Sequence, residues 1–377
     1  MEFKVNSKEL EKLLTKIIPA VPTRTPMPIL ENFLFDIKDG SLTIHATDLE
    51  ISLKSAMNII SEENAQLVVP AKLLYDIVRS LGDTQILFEI ASNGKLNLKT
   101  DSGEYTLSYL DSEDFPDIPE FPSASEENED INEFQLSGSE LKTAFGLTAF
   151  AMSKEEMRPA MMGTLIKFTP EGLRFVATDG HRLVNYLKKN IVLEITDQYI
   201  IPEKAISVLL KILDEKEVKI SLSKTHVSFS LSDIELITRL IGQKYPDYES
   251  VIPLENELSL KIKTKELHNA IKRMMLFSPS NSRRVKFSVS DNNLEISAED
   301  LDLGSHAKES IMCEYSGESL DIGFNSAYVN DVLGHLGSEE EIIFKLHSST
   351  KAVIINPREE KENKELMMLL MPVRLNS

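Results

Sequence analysis

The chain states one pattern three times. Ala46-Thr47-Asp48-Leu49-Glu50 returns as Ala177-Thr178-Asp179-Gly180-His181 and again as Ala298-Glu299-Asp300-Leu301-Asp302, at spacings of 131 and 121 residues. Other landmarks keep step. Val69-Pro70-Ala71-Lys72 is answered by Ile201-Pro202-Glu203-Lys204, and more faintly by Gly323-Phe324-Asn325-Ser326, while Phe115-Pro116-Asp117 is answered by Tyr245-Pro246-Asp247. A repeat of this length exceeds the 20–50 residues of a solenoid unit and matches a whole domain. The chain therefore reads as three copies of one fold, over 1–125, 126–252 and 253–377.

Each copy divides again. In the first, a strand over 2–6 precedes a helix that Ser7 is placed to cap, over 8–18; three strand-like runs follow at 29–37, 42–46 and 51–58. The order then restarts with a strand over 66–69, a helix over 70–81 opened by Pro70 and ended by Gly82, and runs at 85–90, 95–99 and 105–110, the first two joined by an Asn93-Gly94 turn. The half-unit is strand, helix, three strands. Two per copy and three copies predict an α+β fold with six helices. The joints fall in the polar stretch 111–133, whose part 123–133 is strongly acidic, and in 245–257, which carries Pro246 and Pro253.

Apolar residues make up 42% of the 377 and charged residues 27%, which suits three domains with ordinary cores. The single cysteine, Cys313, excludes an intrachain disulfide and a cysteine metal cluster. The first residues lack the apolar run of a signal peptide and no apolar stretch reaches membrane-spanning length, so a cytoplasmic protein is expected. A net charge of −19 argues against tight nucleic-acid binding unless positive charge gathers on one face.

It does gather. At about 100° per residue, Lys8, Lys12 and Lys16 form one stripe of the first helix, opposite Leu10, Leu13, Leu14 and Ile17. In the second helix Lys72 and Arg79 share a face across from Leu73, Leu74, Ile77 and Leu81, and in the second copy Lys204 and Lys211 repeat that placement. A solvated face explains one such helix, but recurrence at matching positions asks for more. The six predicted helices hold eleven Lys or Arg against seven Asp or Glu, so the acidity lies in strands and loops. The last helix has no Lys or Arg.

No Walker or dinucleotide glycine loop, His-Glu-x-x-His or Gly-x-Ser-x-Gly occurs, and the seven histidines do not cluster at metal-ligand spacing, so neither catalytic residues nor a metal or cofactor are expected. Asp179 and His181 tempt as an acid–base pair, yet nothing nearby supplies a nucleophile.

Thr178-Asp179-Gly180-His181-Arg182-Leu183, together with the ending Met371-Pro372-Val373-Arg374-Leu375, resembles the bacterial DNA sliding clamps, the beta subunits of DNA polymerase III. Pro28-Ile29-Leu30 and Tyr245-Pro246-Asp247-Tyr248 fit the same family, in its order. The resemblance implies a processivity factor: a head-to-tail homodimer closed into a ring around duplex DNA, with sheets outside and helices lining the hole. Three domains turning ~60° each make a half circle, and twelve helices of ~10 Å enclose a bore of about 38 Å. In that reading Arg24 contacts DNA, and Lys72, Arg79, Lys204 and Lys211 face phosphate. Polymerase and clamp-loader subunits dock short hydrophobic peptides in a groove built from Met161, Thr178, Gly180, His181, Arg182, Leu183, Pro246, Val251, Leu370, Met371, Pro372, Val373 and Arg374. Where some relatives carry a tyrosine pair or a basic residue, this chain has Pro159 and Ala160, and Ser250. Leu276 and Phe277 meet Tyr105 and Leu107 of the partner protomer. The rival readings are a monomeric peptide-binding adaptor of the same fold without a DNA role, and a hydrolase centred on Asp179 and His181.

Overall fold

The computed structural model describes residues 1–61, 63–122, 131–193, 197–359 and 361–375. The acidic stretch 123–130, and with it the expected joint at 125/126, lies outside the described residues. Asn132 and Glu133, expected in that linker, already belong to a strand, where Glu133 accepts from Ser221 Oγ at 2.9 Å and pairs with Lys219. None of the described helices is long and apolar enough to cross a membrane.

Among the described residues there are six α-helices, the number the repeat predicts: α1 (Ser7–Ile17), α2 (Ala71–Ser80), α3 (Gly138–Thr148), α4 (Glu203–Ile212), α5 (Thr264–Met274) and α6 (Ser326–His335). α1 buries Leu10, Leu13, Leu14 and Ile17 and leaves Lys8 and Lys12 exposed. Its cap is Asn6, not Ser7. Asn6 Oδ1 accepts from the amides of Lys8 (2.9 Å) and Glu9 (3.2 Å). The Ser7 hydroxyl instead donates to Gly82 O at 2.7 Å and accepts from Thr84 N at 3.0 Å, tying α1 to the loop after α2. Both residue types cap well; the buried one was needed elsewhere. On α2 the apolar stripe is narrower than expected, for Leu73 is 51% exposed while Leu74 and Val78 are buried.

Strand pairing adds what periodicity alone did not reveal: the two halves of each copy exchange their leading strands. Glu2–Asn6 pairs with Gln85–Ala91 of the second half, and Ala65–Pro70 pairs with Asn32–Lys38 of the first. The second copy repeats this with Asn132–Ser137 on Glu217–Leu222 and Gln198–Pro202 on Gly163–Thr169. The third repeats it with Leu258–Lys263 on Glu341–Leu346 and Leu320–Asn325 on Arg284–Ser290. A half-unit therefore cannot close its own sheet.

The sheets also run from copy to copy. Ile51–Asn58 pairs antiparallel with Ile234–Arg239, making one nine-stranded sheet, and Arg182–Lys188 pairs with Lys364–Leu370, making another. Two compact units result. One holds Met1–Lys142 with Lys204–Leu240, the other Thr143–Glu203 with Ile241–Ser377. The second copy is thus shared between them. Each unit adds a four-stranded sheet, one ending on the open edge of Glu104–Ser108 and the other on that of Ser305–Met312.

The recurring Asp loop is one structure three times. The Asp48 carboxylate accepts from the amides of Glu50 and Ile51, Asp179 from those of His181 and Arg182, and Asp300 from those of Asp302 and Leu303, at 2.9–3.2 Å. In the first unit Lys204 Nζ pairs with Asp48, whose side chain is 3% exposed, and lies 3.6 Å from Glu50. Lys204→Ala leaves that carboxylate without its cation and is expected to cost about 1–2 kcal/mol, discounted because the lysine end is half exposed. Lys211→Ala on the same helix should change stability by less than ~0.5 kcal/mol. Urea denaturation of both variants checks the contrast.

Candidate functional site

In the second unit the strand pair Arg182–Lys188 and Lys364–Leu370 ends beside the Asp179 loop, and a trough of about 450 Å³ opens there. Its wall is the loop itself. The Thr178 hydroxyl donates to Arg182 O at 2.7 Å and accepts from Gly180 N at 3.1 Å. Gly180 sits at φ +88°, a left-handed conformation that suits glycine, and a Cβ there would stand 3.1 Å from Arg158 Nη1. Met371 N donates to His181 O at 2.8 Å, carrying the ladder one bond past the strand.

The floor is packed and uncharged. Leu165, Val176, Leu183, Ile200, Tyr245, Tyr248, Ala352 and Leu369 form one buried cluster, with Ile252 and Met367 against it. Burial pushes the phenols of Tyr245 and Tyr248 well above the usual tyrosine range, so both stay neutral. Tyr245 Oη donates to Val176 O at 3.4 Å. Val251 (53% exposed) and Met371 (38% exposed) present apolar surface at the mouth. An apolar trough with backbone and hydroxyl groups at its rim suits hydrophobic side chains of a short segment.

Of the expected groove residues, Met161, Thr178, Gly180, Arg182, Leu183, Pro246, Val251 and Met371 line this trough together. Five do not. His181 turns its ring onto Tyr328, with centroids 6.0 Å apart. Leu370 is buried on the other face of its strand; side chains alternate, so Leu369 and Met371 share the trough side and Leu370 cannot. Pro372, Val373 and Arg374 leave the trough because Val373 N bonds Gly323 O at 2.8 Å and draws the tail onto Leu320–Asn325. Unforeseen lining residues include Tyr248, Ile252, Pro253, Thr350, Lys351, Ala352 and Leu369. Strand alternation from Met371 pointed to Leu369. Thr350 to Ala352 arrive through a distant hairpin, for which no local signal exists.

Asp179 spends its carboxylate on the loop amides and on Arg182 Nε at 3.0 Å. Of the residues expected to meet DNA, Arg24, Lys72, Arg79 and Lys211 are exposed. Lys204 is engaged by Asp48 and Glu50, as is Lys16 of the α1 stripe by Asp233 at 2.9 Å. Of the residues expected at the protomer contact, Leu276 is 79% exposed and Tyr105 and Phe277 are half-buried. Leu107 is 3% exposed, so its side chain belongs to the core and only its edge-strand backbone faces outward.

Comparison with known proteins agrees along the whole chain. Residues 1–119 match the N-terminal domain of the DNA polymerase III beta subunit, 135–247 its central domain and 249–374 its C-terminal domain. The Beta sliding clamp of Pseudomonas aeruginosa is 31% identical, and that of Escherichia coli K12 28%, each alignment spanning the full length of both chains. The crystal structure of DNA polymerase III subunit beta from Pseudomonas aeruginosa is similar with a TM-score of 0.91 at 31% identity, all of both chains being covered. A sliding clamp from Bartonella birtlesii, solved bound to griselimycin, gives 0.90 at 31% identity with the same coverage. Three copies of one intertwined fold, matched end to end, place this chain in the DNA polymerase III beta subunit family, the beta sliding clamps.

Proposed function

We propose that the protein is a DNA polymerase processivity factor, a non-catalytic accessory subunit acting in the cytoplasm. Two copies close head to tail into a ring around duplex DNA, and partners dock through the trough beside Gly180. The single observation that carries this reading is the threefold fold itself, matched over its whole length to beta sliding clamps. A ring holds DNA by topology, so it needs no base readout and only modest positive charge. Exposed Arg24, Lys72, Arg79 and Lys211 supply that charge, and the acidic remainder discourages adhesion to other DNA.

Closure has support in the open edges. Glu104–Ser108 and Ser305–Met312 each pair on one side only among the described residues, and an unpaired edge invites another strand. Leu276 offers apolar surface for the same contact. The trough supports docking of a peptide with hydrophobic anchors, and polymerase and clamp-loader subunits are the partners this family role implies.

Three outcomes are expected. The protein should remain on closed circular DNA through a high-salt wash and be lost once the circle is cut; equal loss from both substrates returns the adaptor reading. Leu276→Asp should convert a dimer near twice 42.4 kDa into a monomer by light scattering, since a charge enters an apolar contact. Val251→Asp should weaken binding of a hydrophobic peptide at least about tenfold while leaving retention on circular DNA unchanged, because it spoils only the trough.

A further inference from the structure

One inner strand of the second unit ends in a proline. Val353–Pro357 lies between Glu341–Leu346 and Lys364–Leu370 in the nine-stranded sheet. Proline has no N–H to give a ladder, so a strand that contains it is open on one side there. Arg358 N bonds Glu341 O at 3.0 Å. Successive residues of a strand direct their backbone groups to opposite sides, so the donor that Pro357 lacks is the one facing Lys364–Leu370. The ladder breaks on that side. Pairing with Glu341–Leu346 runs on to Ile342 and Pro357, whereas pairing with Lys364–Leu370 stops at Ile355 and Met368. Glu365 to Met367 keep their pairing with Asn185 to Leu187 beyond. Two neighbouring strands thus part inside the sheet, and the turn in which Lys364 N donates to Lys361 O at 3.1 Å closes the far end.

A cavity of about 380 Å³ occupies the parting. Leu366 and Met367 point to opposite faces of their strand, yet both line it, as a gap through the sheet requires. Its body is apolar, with Leu147, Tyr186, Leu336 and Ile343 beside those two. Its rim is cationic, five Lys or Arg against three Glu, in a chain of net charge −19. Lys361 is held by Glu339 at 2.6 Å, Lys189 by Glu365 and Arg358 by Glu341. Lys345 and Lys364 have no carboxylate partner among the described residues. Asn356 also lines the cavity, and its buried Oδ1 has no hydrogen-bond partner, an acceptor that asks for a donor.

We infer that this parting is a second ligand site, separate from the trough, and that it takes a nucleoside monophosphate. The volume is that of a small-molecule pocket. A gap closed at both ends admits a compact ligand and not an extended chain. The unpaired cations are lysines, point charges that suit phosphate, while the arginine, whose fork suits a carboxylate, already serves Glu341. The apolar body accepts the base, and Asn356 Oδ1 accepts one of the ligand's N–H or O–H groups.

The test uses the full-length protein carrying ¹³C-methyl methionine, with Met367 reporting on the parting and Met371 on the trough. Thymidine 5′-monophosphate should shift the Met367 methyl signal and leave that of Met371 in place. Its Kd should be at least about tenfold lower than that of thymidine or of inorganic phosphate, because only the whole molecule meets both rim and body. Lys364→Gln should raise that Kd about fivefold or more, through loss of a charge-assisted contact. Lys351→Gln, at the trough, should change it less than about twofold. No shift of Met367, a shift of Met371 in its place, equal binding of inorganic phosphate, or wild-type affinity in Lys364→Gln would each overturn the inference.

Discussion

Antiparallel pairing between strands of different copies is the constraint on which the rest of the structure depends. Ile51–Asn58 with Ile234–Arg239, and Arg182–Lys188 with Lys364–Leu370, fuse neighbouring copies into continuous sheets. A ladder of five to seven residue pairs has no slack: a slip of one residue would turn every buried side chain of the strand outward. The copies are therefore held in register by the backbone, and the functional loops inherit their positions from it. The bond from Met371 N to His181 O is a direct continuation of that ladder, and it sets the mouth of the trough. The matching bond at the other joint, Arg239 N to Glu50 O at 3.3 Å, ends against a helix lysine instead.

Much of this was legible in the sequence, and the reasons are physical. Helices with a strong apolar stripe announce themselves, and α1 and α2 lie within one residue of where the spacing puts them. The threefold Asp motif was legible because it performs one local task, satisfying the amides that follow it, and local tasks leave local signatures. The exchange of leading strands between half-units left none. A strand reads the same whether it pairs with its own half or the other, since only its alternation of faces is written down. Ser7 and Asn6 show the same limit at the scale of one residue: both cap well, and the choice between them was made by Gly82 and Thr84, which lie far along the chain.

The site was legible in part for a related reason. Thr178, Gly180, Arg182 and Leu183 could be named because family motif and geometry coincide on one loop. Leu370 was the wrong neighbour by one position, and period-two alternation decides such cases once the strand is known. The ion pair of Lys204 was not legible, because a lysine on an exposed helix face looks the same whether it meets phosphate or a carboxylate from another copy. Its partner, Asp48, lies 156 residues away in the chain.

Seen together, the two joints solve one task in two ways. Each joint must bind the Asp loop of one copy to a helix of the next, and an ion pair does so in both. Where the helix provides the cation, the loop can be acidic and carry Leu49, whose φ of +77° is unusual for a branched residue but tolerable in the open. Where the loop provides the cation, the guanidinium must be flat, doubly paired and stacked, which a lysine could not match. There Arg182 pairs with Asp179 and with Asp331 of α6 and lies 5.1 Å from the ring centroid of Phe150 and 4.7 Å from that of Tyr328. The third copy carries the same loop, with Asp300 satisfied by its own amides and Leu301 and Leu303 about 80% exposed.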